Sequence, residues 1–220
     1  MVRETLRPSC FTERPRRQPA TVHPVATGRE VRMSEPSTDL LLAALEYAAH
    51  GLPVFSVSAR KQPMTAHGHH DATTDPDAAR AMFARPGVAG IGIPTGPASG
   101  WLVIDRDRHG DVDGIAACHD LEQELGPLPP TRHQRTGSGG DQLVYRYPAD
   151  RRVPCSAGRI AQGVDVRGDG GYVVVPPSRN ERGPYVWVRD TEPVDLPTLW
   201  LDRLAARPRP ERAPVPAVQV

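Results

Sequence analysis

Three aspartates in apolar surroundings are the residues of this chain best suited to chemistry with a metal ion. Asp105 and Asp107 close the segment WLVIDRD (101–107), and Asp165 lies inside GVDVRG (163–168). Alternate side chains of a strand point to the same face, so Asp105 and Asp107 would project together, with Cα atoms about 6.5–7 Å apart. Carboxylates this close repel each other unless a cation or an arginine lies between them. Three of them suit a site for two divalent ions, although the same spacing is common in turns and surface ion pairs.

A glycine-rich turn is the second candidate. Residues 136–140, TGSGG, separate the extended segments TRHQR (131–135) and QLVYRY (142–147), and this pattern predicts a hairpin. The backbone N–H groups of such a turn can hold phosphate groups, or the turn can be a plain connection. The first side chains after the turn are Asp141, which would add negative charge there, and Gln142, whose amide donates hydrogen bonds but carries no charge.

The elements that must position these residues are a mixture of helices and strands. We expect helices at 40–50, 76–84, 114–125 and 198–206, and strands at 52–57, 88–94, 101–105, 131–135, 142–147, 163–168 and 172–176. The last two strands are expected to pair with each other around Asp169-Gly170-Gly171. Adjacent hairpins mixed with helices predict an α+β fold rather than a doubly wound parallel sheet.

Charge is unevenly distributed along the chain. The formal net charge is +1, but residues 1–32 carry roughly +4 and residues 207–220 roughly +2, which leaves about −5 for the segment between them. An acidic domain is not typical of a protein that binds nucleic acid in bulk, so it would need local arginine patches or metal ions to do so. Lys61 is the only lysine of the chain.

Composition divides the chain into three parts. Residues 1–35 are rich in proline and arginine and are expected to be disordered, residues 36–206 form one folded domain, and residues 207–220 are a proline-rich tail. No apolar segment approaches the ~20 residues of a membrane helix. The three cysteines are widely spaced, which is typical of a reducing compartment. We therefore expect a cytoplasmic protein with no membrane anchor and no disulfide framework.

The ordered set of short motifs strongly resembles the N-terminal domain of bifunctional DNA primase/polymerases, the prim-pol branch of the archaeo-eukaryotic primase superfamily. The resemblance covers about residues 40–205. The motifs that carry it are GLPVF (51–55), KQP (61–63), DATTD (71–75), IGIPTG (91–96), VIDRD (103–107), TGSGG (136–140), GVDVRGDGGY (163–172) and PPS (176–178).

The resemblance implies a fold, a reaction and a set of residues. The fold is of the archaeo-eukaryotic primase type, an RRM-like sheet unit packed with a second αβ unit, with the active site between them. The reaction is template-directed nucleotidyl transfer with two Mg²⁺ or Mn²⁺ ions, which residues 36–206 would perform as the catalytic domain. Asp105, Asp107 and Asp165 would be the catalytic, metal-binding residues. The nucleotide would be bound by Lys61, Thr136, Ser138, Gly139, Gly140 and Gln142, with Arg146 and Arg167 as candidates for phosphate contacts.

One position departs from the family pattern. The family places a histidine just after the glycine turn, aimed at the phosphates of the incoming nucleotide, and this chain has Gln142 there. His133, on the preceding strand, is a candidate substitute. The departure leaves two alternatives: an active primase/polymerase, or a degenerate module that binds nucleotide or DNA within a replication complex.

The resemblance also implies partners. These are a single-stranded DNA template and nucleoside triphosphates, in the replication of a mobile element such as a plasmid or prophage. Because the sequence has no Gly-x-x-x-x-Gly-Lys-Ser/Thr motif, a separate helicase or replication initiator is the expected protein partner.

A histidine cluster supports a third hypothesis. The segment HGHHDA (67–72) is similar to the signature of metallo-β-lactamase-fold zinc hydrolases, with His67, His69 and Asp71 in register. Ala72 stands where the last histidine of that signature belongs, so a zinc-dependent hydrolase is the weakest of the three hypotheses.

Overall fold

The computed structural model describes residues 38–205. The disordered segment expected at 1–35 and the tail expected at 207–220 lie outside these residues. The helices are α1 (Thr38–Ala49), α2 (Pro76–Phe83), α3 (Gly114–Leu125) and α4 (Thr198–Leu204), with a short 3-10 helix at Gly68–Asp71. The strands are β1 (Phe55–Val57), β2 (Gly90–Pro94), β3 (Trp101–Arg106), β4 (Arg108–His109), β5 (Val112–Asp113), β6 (Arg132–Arg135), β7 (Asp141–Arg146), β8 (Ser156–Ala161), β9 (Val164–Arg167), β10 (Tyr172–Val175) and β11 (Val186–Arg189).

The strands of the described residues form two larger sheets and a small hairpin. One sheet has three strands in the order β1-β2-β10, and the other has six in the order β11-β6-β7-β3-β9-β8. All neighbours within these sheets are antiparallel. Strands β4 and β5 pair only with each other. The α+β class is therefore confirmed, as is the hairpin predicted on either side of residues 136–140.

The expected pairing of 163–168 with 172–176 is wrong. Strand β9 pairs with β3 and β8, whereas β10 pairs with β2 in the other sheet. The chain crosses between the sheets at 168–171, and glycines allow this crossing. A Cβ at Gly168 would lie 2.0 Å from the carbonyl oxygen of Val153, and one at Gly171 would lie 2.3 Å from Cys155 Sγ.

The central strand β3 is buried on both faces. Trp101 and Val103 point into a core shared with α1, α2, β2 and β10, whereas Leu102 and Ile104 point into a core shared with α3 and α4. Burial of such side chains contributes roughly 1.5–3 kcal/mol each. Asp105 projects from the same face of β3 as Trp101 and Val103, so a polar side chain follows two buried apolar ones.

The helix boundaries follow from local hydrogen bonds. Asp75 caps α2 by accepting a hydrogen bond from the N–H of Ala78, and Pro76 occupies the first turn. Asp113 caps α3 by accepting from Ile115 and Ala116, and Gly126 ends that helix with φ +85°. No helix among residues 38–205 has both the length and the apolar character needed to cross a membrane.

Candidate active site

A row of four polar side chains crosses the six-stranded sheet. Asp105 on β3 is directly opposite Gln142 on β7 and Asp165 on β9, and Gln142 is opposite Gln134 on β6. Residues directly opposite each other on neighbouring strands project to the same face. The row faces the three-stranded sheet, because Gln134 Nε2 donates a 2.8 Å hydrogen bond to the carbonyl oxygen of Val174 on β10.

A cavity of about 370 Å³ lies over this row, between the two sheets. The six-stranded sheet contributes Asp105, Gln142 and Arg167 to its walls, and β10 contributes residues 172–174. Of the other predicted residues, Lys61, Asp107, Thr136 and Ser138 also line the cavity. Asp165 lies beside it as the direct partner of Asp105.

Asp105 is a buried carboxylate with one oxygen left unpaired. The residue is only 5% exposed, and its Oδ1 has no hydrogen-bond partner among the described residues. Its Oδ2 lies 3.5 Å from Arg167 Nε. Burial and, second, the charge of Asp107 raise the pKa of Asp105 to about 6, although Arg167 and the Gln142 amide oppose the rise. A buried carboxylate that is destabilised by burial and by a neighbouring carboxylate, and that has an unused oxygen, is suited to hold a cation.

Arg167 is the counter-ion of the carboxylates in this structure. Its Nη2 lies 2.8 Å from Asp165 Oδ2, so its guanidinium contacts both Asp165 and Asp105. The other oxygen of Asp165 accepts a 2.8 Å hydrogen bond from the N–H of Gly158. Within residues 38–205 no three His, Cys, Asp or Glu side chains are grouped so as to hold a metal ion. The donor chemistry and the unpaired oxygen of Asp105 fit a divalent cation, but Arg167 now pairs with the carboxylates.

The chain just after β3 is fixed by its backbone. The N–H of Asp107 donates to the carbonyl oxygen of Gly163 at 2.8 Å, and the carbonyl oxygen of Asp107 accepts from the N–H of Gly114 at 2.8 Å. Asp107 therefore stays beside Asp105 without being part of the strand.

The glycine turn packs directly against this segment. The N–H of Thr136 donates to Gly140 at 2.8 Å, and the N–H of Gly139 donates to Thr136 at 2.9 Å. A Cβ at Gly140 would lie 2.6 Å from the carbonyl oxygen of Arg106, so only glycine allows this contact. Gly139 has φ +87°, which glycine adopts without strain. The turn therefore presents Thr136 and Ser138 to the cavity next to the aspartates.

Gln142 supports the carboxylate row. It is 7% exposed, and its Oε1 accepts a hydrogen bond from Gln134 Nε2, which also donates to β10. The amide nitrogen of Gln142 is therefore left on the side of Asp105, whose pKa it lowers.

The family model for the N-terminal domain of bifunctional DNA primase/polymerases, named Prim-Pol, matches residues 44–199. The chain belongs to the Prim-Pol family. This membership implies, at the level of the family, DNA and nucleotide binding and primase/polymerase nucleotidyl transfer. The matched residues contain every side chain that lines the cavity. A search of curated proteins found no match to the chain.

Two sequence-based expectations about this Prim-Pol site are wrong, because the strand register turns the side chains to the other face. His133 is opposite Leu143, and Asp141 is opposite Arg106, so both lie on the face away from Gln142. Asp141 lies 3.2 Å from His133 Nε2 and 3.3 Å from Arg106 Nη2. Burial alone would raise the pKa of Asp141, but His133 and the arginines hold it below its ordinary value. Asp141 thus adds no charge to the cavity, and His133 does not replace the missing histidine.

Arg146 is not brought to the cavity. It is opposite Trp101 at the far end of β7, four residues from Gln142, or about 13 Å along the strand. Its Nη1 lies 3.0 Å from Asp195 Oδ1. Of the two strand arginines predicted to contact phosphates, only Arg167 lines the cavity.

Among the described residues, the side chains of the histidine cluster are not grouped as in a zinc site. His67 Nδ1 lies 2.9 Å from Asp71 Oδ1, whereas the ring of His69 lies against His70 and 5.9 Å from the ring of Tyr172. The described residues hold no metal-binding group that contains these side chains. His69 instead lines the Prim-Pol cavity.

Lys61 occupies a strained turn at the cavity mouth. It is exposed and has φ +64°, which is uncommon for a residue with a side chain. Its carbonyl oxygen accepts a 2.9 Å hydrogen bond from the Tyr172 hydroxyl, which ties the turn to β10.

The sequence analysis did not assign three ring-bearing residues to this cavity, although it named His69 for a zinc site. Tyr172, Tyr185 and His69 all line it. Tyr172 ends the GDGGY segment and could have been found from that motif. Tyr185 follows a turn, and no motif around it indicates a role in the cavity. Burial raises its pKa to about 12, so its hydroxyl is protonated at neutral pH.

Proposed function

We propose that this Prim-Pol chain is a primase/DNA polymerase that performs metal-dependent, template-directed nucleotidyl transfer. The observation that carries the proposal is the buried Asp105, one oxygen of which has no hydrogen-bond partner among the described residues. Asp105 lines a cavity that is also lined by residues of the glycine turn, and it lies opposite Asp165 on the neighbouring strand. Asp105, Asp107 and Asp165 would hold two Mg²⁺ or Mn²⁺ ions. Such ions neutralise a triphosphate and activate the attacking 3′ hydroxyl.

The residues around the carboxylates supply contacts for a triphosphate. Thr136 and Ser138 line the cavity. Ser138 offers its hydroxyl group there, whereas the Thr136 hydroxyl and the N–H groups of Thr136 and Gly139 form hydrogen bonds within the turn. Lys61 and Arg167 bring positive charge to the same cavity. Gly139 and Gly140 contribute by allowing the turn to lie against the end of β3.

Gln142 would take part as a neutral donor. Its amide is held by Gln134 and lies beside Asp105, so its orientation is fixed before any substrate binds. A glutamine cannot supply the positive charge of a histidine, and loss of one preorganised donor typically costs roughly 2.7–4 kcal/mol of transition-state stabilisation. We therefore expect slow synthesis rather than none.

The biological setting follows from the family resemblance. We infer that the protein acts in the cytoplasm, on single-stranded DNA, in the replication of a plasmid or prophage. A separate helicase or replication initiator would open the duplex for it.

A specific observation favours a second candidate function. The carboxylates pair with Arg167, and the motif histidine is replaced by Gln142. Both features suit a degenerate Prim-Pol module that binds nucleotide or DNA within a replication complex without efficient synthesis.

The deciding experiment is primer synthesis and extension on single-stranded DNA, first with Mn²⁺ and then with Mg²⁺. The wild type is compared with a double variant, Asp105→Ala with Asp107→Ala, and with a control, Asp120→Ala, at an exposed position of α3. Product from the wild type and the control alone supports the proposal. Product from the double variant would rule out the proposed site, and no product from any protein, with DNA or nucleotide binding retained, would favour the degenerate module.

A further inference from the structure

A second cavity of about 430 Å³ adjoins the candidate active site. The two cavities share Lys61, Asp107 and Ser138, so they are continuous along one side of the aspartates. The remaining walls come from the chain after β1, the chain after β3, and the turn at residues 180–182. We call this second cavity the basic groove.

The basic groove concentrates positive charge on an otherwise acidic domain. Four basic side chains line it, against two acidic ones: Arg60, Lys61, Arg108 and Arg182, against Asp107 and Glu181. The segment between the basic termini carries about −5 overall, so this charge is local and not a property of the whole surface.

The arginines of the groove are available to a ligand. Arg60 pairs with Glu181 at 3.3 Å, but their side chains are 82% and 67% exposed. Arg108 pairs with Asp113 at 2.9 Å, also at the surface. Exposed ion pairs contribute little to stability and exchange readily for a stronger acceptor such as a phosphate, which an arginine can contact with two donors at once.

The wall that carries Arg182 is anchored to the glycine turn. Asn180 Oδ1 accepts hydrogen bonds from the N–H groups of Arg182 and Gly183 at 2.8 and 2.9 Å, which fixes the turn. A Cβ at Gly137 would lie 2.3 Å from the carbonyl oxygen of Gly183. The two turns are therefore in close contact, and the groove has a fixed position relative to the catalytic cavity.

We propose that the basic groove binds the backbone phosphates of the single-stranded DNA on which the active site works. This inference rests on the proposed function. The groove leads from Asp107, and its lining contains three arginines, one lysine and one histidine, His109, but no Phe, Trp or Tyr. Stacking on bases needs such rings, whereas arginine and lysine contact phosphates. The groove therefore holds a strand by its backbone and without preference for sequence.

The test measures DNA binding in the absence of metal ions. The binding of a fluorescent single-stranded DNA is followed by anisotropy in EDTA over a range of salt concentrations. The variant is Arg60→Gln with Arg182→Gln, and the control, Arg80→Gln with Arg189→Gln, makes the same charge change at exposed positions outside the groove. Circular dichroism checks that both proteins remain folded.

Loss of two phosphate contacts on a single strand should reduce the slope of log affinity against log salt by about 1.4, and the affinity at low salt by about tenfold or more. The control should match the wild type. Equal affinity and slope in the groove variant and the control would overturn the inference, as would a wild type that does not bind DNA.

A separate measurement of nucleotide binding distinguishes failure of this inference from failure of the proposed function. The binding of a fluorescent nucleoside triphosphate with Mn²⁺ should be unchanged in the groove variant. If nucleotide binding falls while DNA binding is retained, the groove belongs to the triphosphate site and the inference is wrong. If the wild type makes no product but binds DNA through Arg60 and Arg182, the groove stands and the proposed polymerase activity fails.

Discussion

Replacing Asp105 by asparagine should stabilise the ion-free protein at neutral pH, although it removes a side chain on which the proposed activity depends. The carboxylate is buried, one of its oxygens has no hydrogen-bond partner among the described residues, and Asp107 adds negative charge beside it. Asparagine has nearly the same shape and no charge, so it removes the cost of burying the charge and retains the packing.

The magnitude follows from the pKa. Burial raises the pKa of Asp105 from 3.8 to about 6, and a difference of this size corresponds to about 3 kcal/mol. Because the pKa is raised in the folded state, the protonated acid favours folding, and this contribution is complete below pH 3.8. It is lost as the pH rises through about 6. The variant should therefore match the wild type near pH 4 and exceed its free energy of unfolding by about 1–3 kcal/mol at pH 8.

The assay is urea unfolding in EDTA between pH 4 and pH 8. Asp120→Asn, at an exposed position of α3, is the control, and its free energy of unfolding should stay within about 0.5 kcal/mol of the wild type at every pH. Addition of Mn²⁺ should stabilise the wild type more than the Asp105→Asn variant, because ligands that bind the folded state raise its stability.

Two results would refute this reasoning. The first is an Asp105→Asn variant that is less stable than the wild type at pH 8, since the carboxylate would then be stabilised by its partners. The second is a difference in stability that does not change with pH, since the titration of Asp105 would then not be its source.

Three further predictions concern other residues of the cavity. Gln142→His should raise the rate of synthesis by about a hundred- to thousandfold, because it restores a charged donor at the phosphates; an unchanged rate in a primer-extension assay would show that Gln142 does not limit the reaction. Arg167→Gln should bind Mn²⁺ several-fold more tightly in calorimetry, because a competing cation is removed from the carboxylates, and bind the nucleoside triphosphate several-fold more weakly; changes in the same direction would count against this dual role. Gly140→Ala should lower the free energy of unfolding by about 1–3 kcal/mol, because its Cβ would lie 2.6 Å from the carbonyl oxygen of Arg106; a melting temperature equal to that of the wild type would show that the turn yields.

The sequence identified the features that depend on local patterns. Alternation along WLVID places Asp105 at the buried end of β3, and the five residues TGSGG fit only a tight connection between β6 and β7. The bounds expected for α2 and α3 are close to the observed ones, because the residues that begin and end a helix lie within one turn of it. The ordered set of motifs led to the Prim-Pol family, which residues 44–199 match.

Features that depend on strand partners and register could not be predicted from the sequence. The segments 163–168 and 172–176 look like a hairpin, but a strand pattern does not specify which strand is its neighbour, and the two lie in different sheets. The face of His133 depends on its pairing with Leu143. Arg146 and Arg167 both lie on strands, and only the sheet order separates the one at the cavity from the one far from it.

Edge strands and loop residues were missed for a related reason. Strands β8 and β11 lie at the two edges of the six-stranded sheet. Strand β8 is mostly exposed and has no alternating apolar pattern, and β11 has only four residues, whose apolar side chains do not alternate with polar ones. Tyr185 reaches the cavity from the chain that leads into β11, so its role depends on long-range packing.

The central claim is that Asp105, Asp107 and Asp165 hold divalent ions for nucleotidyl transfer. The most direct test is a crystal structure with Mn²⁺ and a non-hydrolysable nucleoside triphosphate, with the ions located by their anomalous scattering. We predict Mn²⁺ bound by Asp105, Asp107 and Asp165, with Arg167 moved from the carboxylates to the triphosphate. A nucleotide-bound structure in which Arg167 still pairs with Asp105 and Asp165, and no Mn²⁺ lies beside them, would contradict the account.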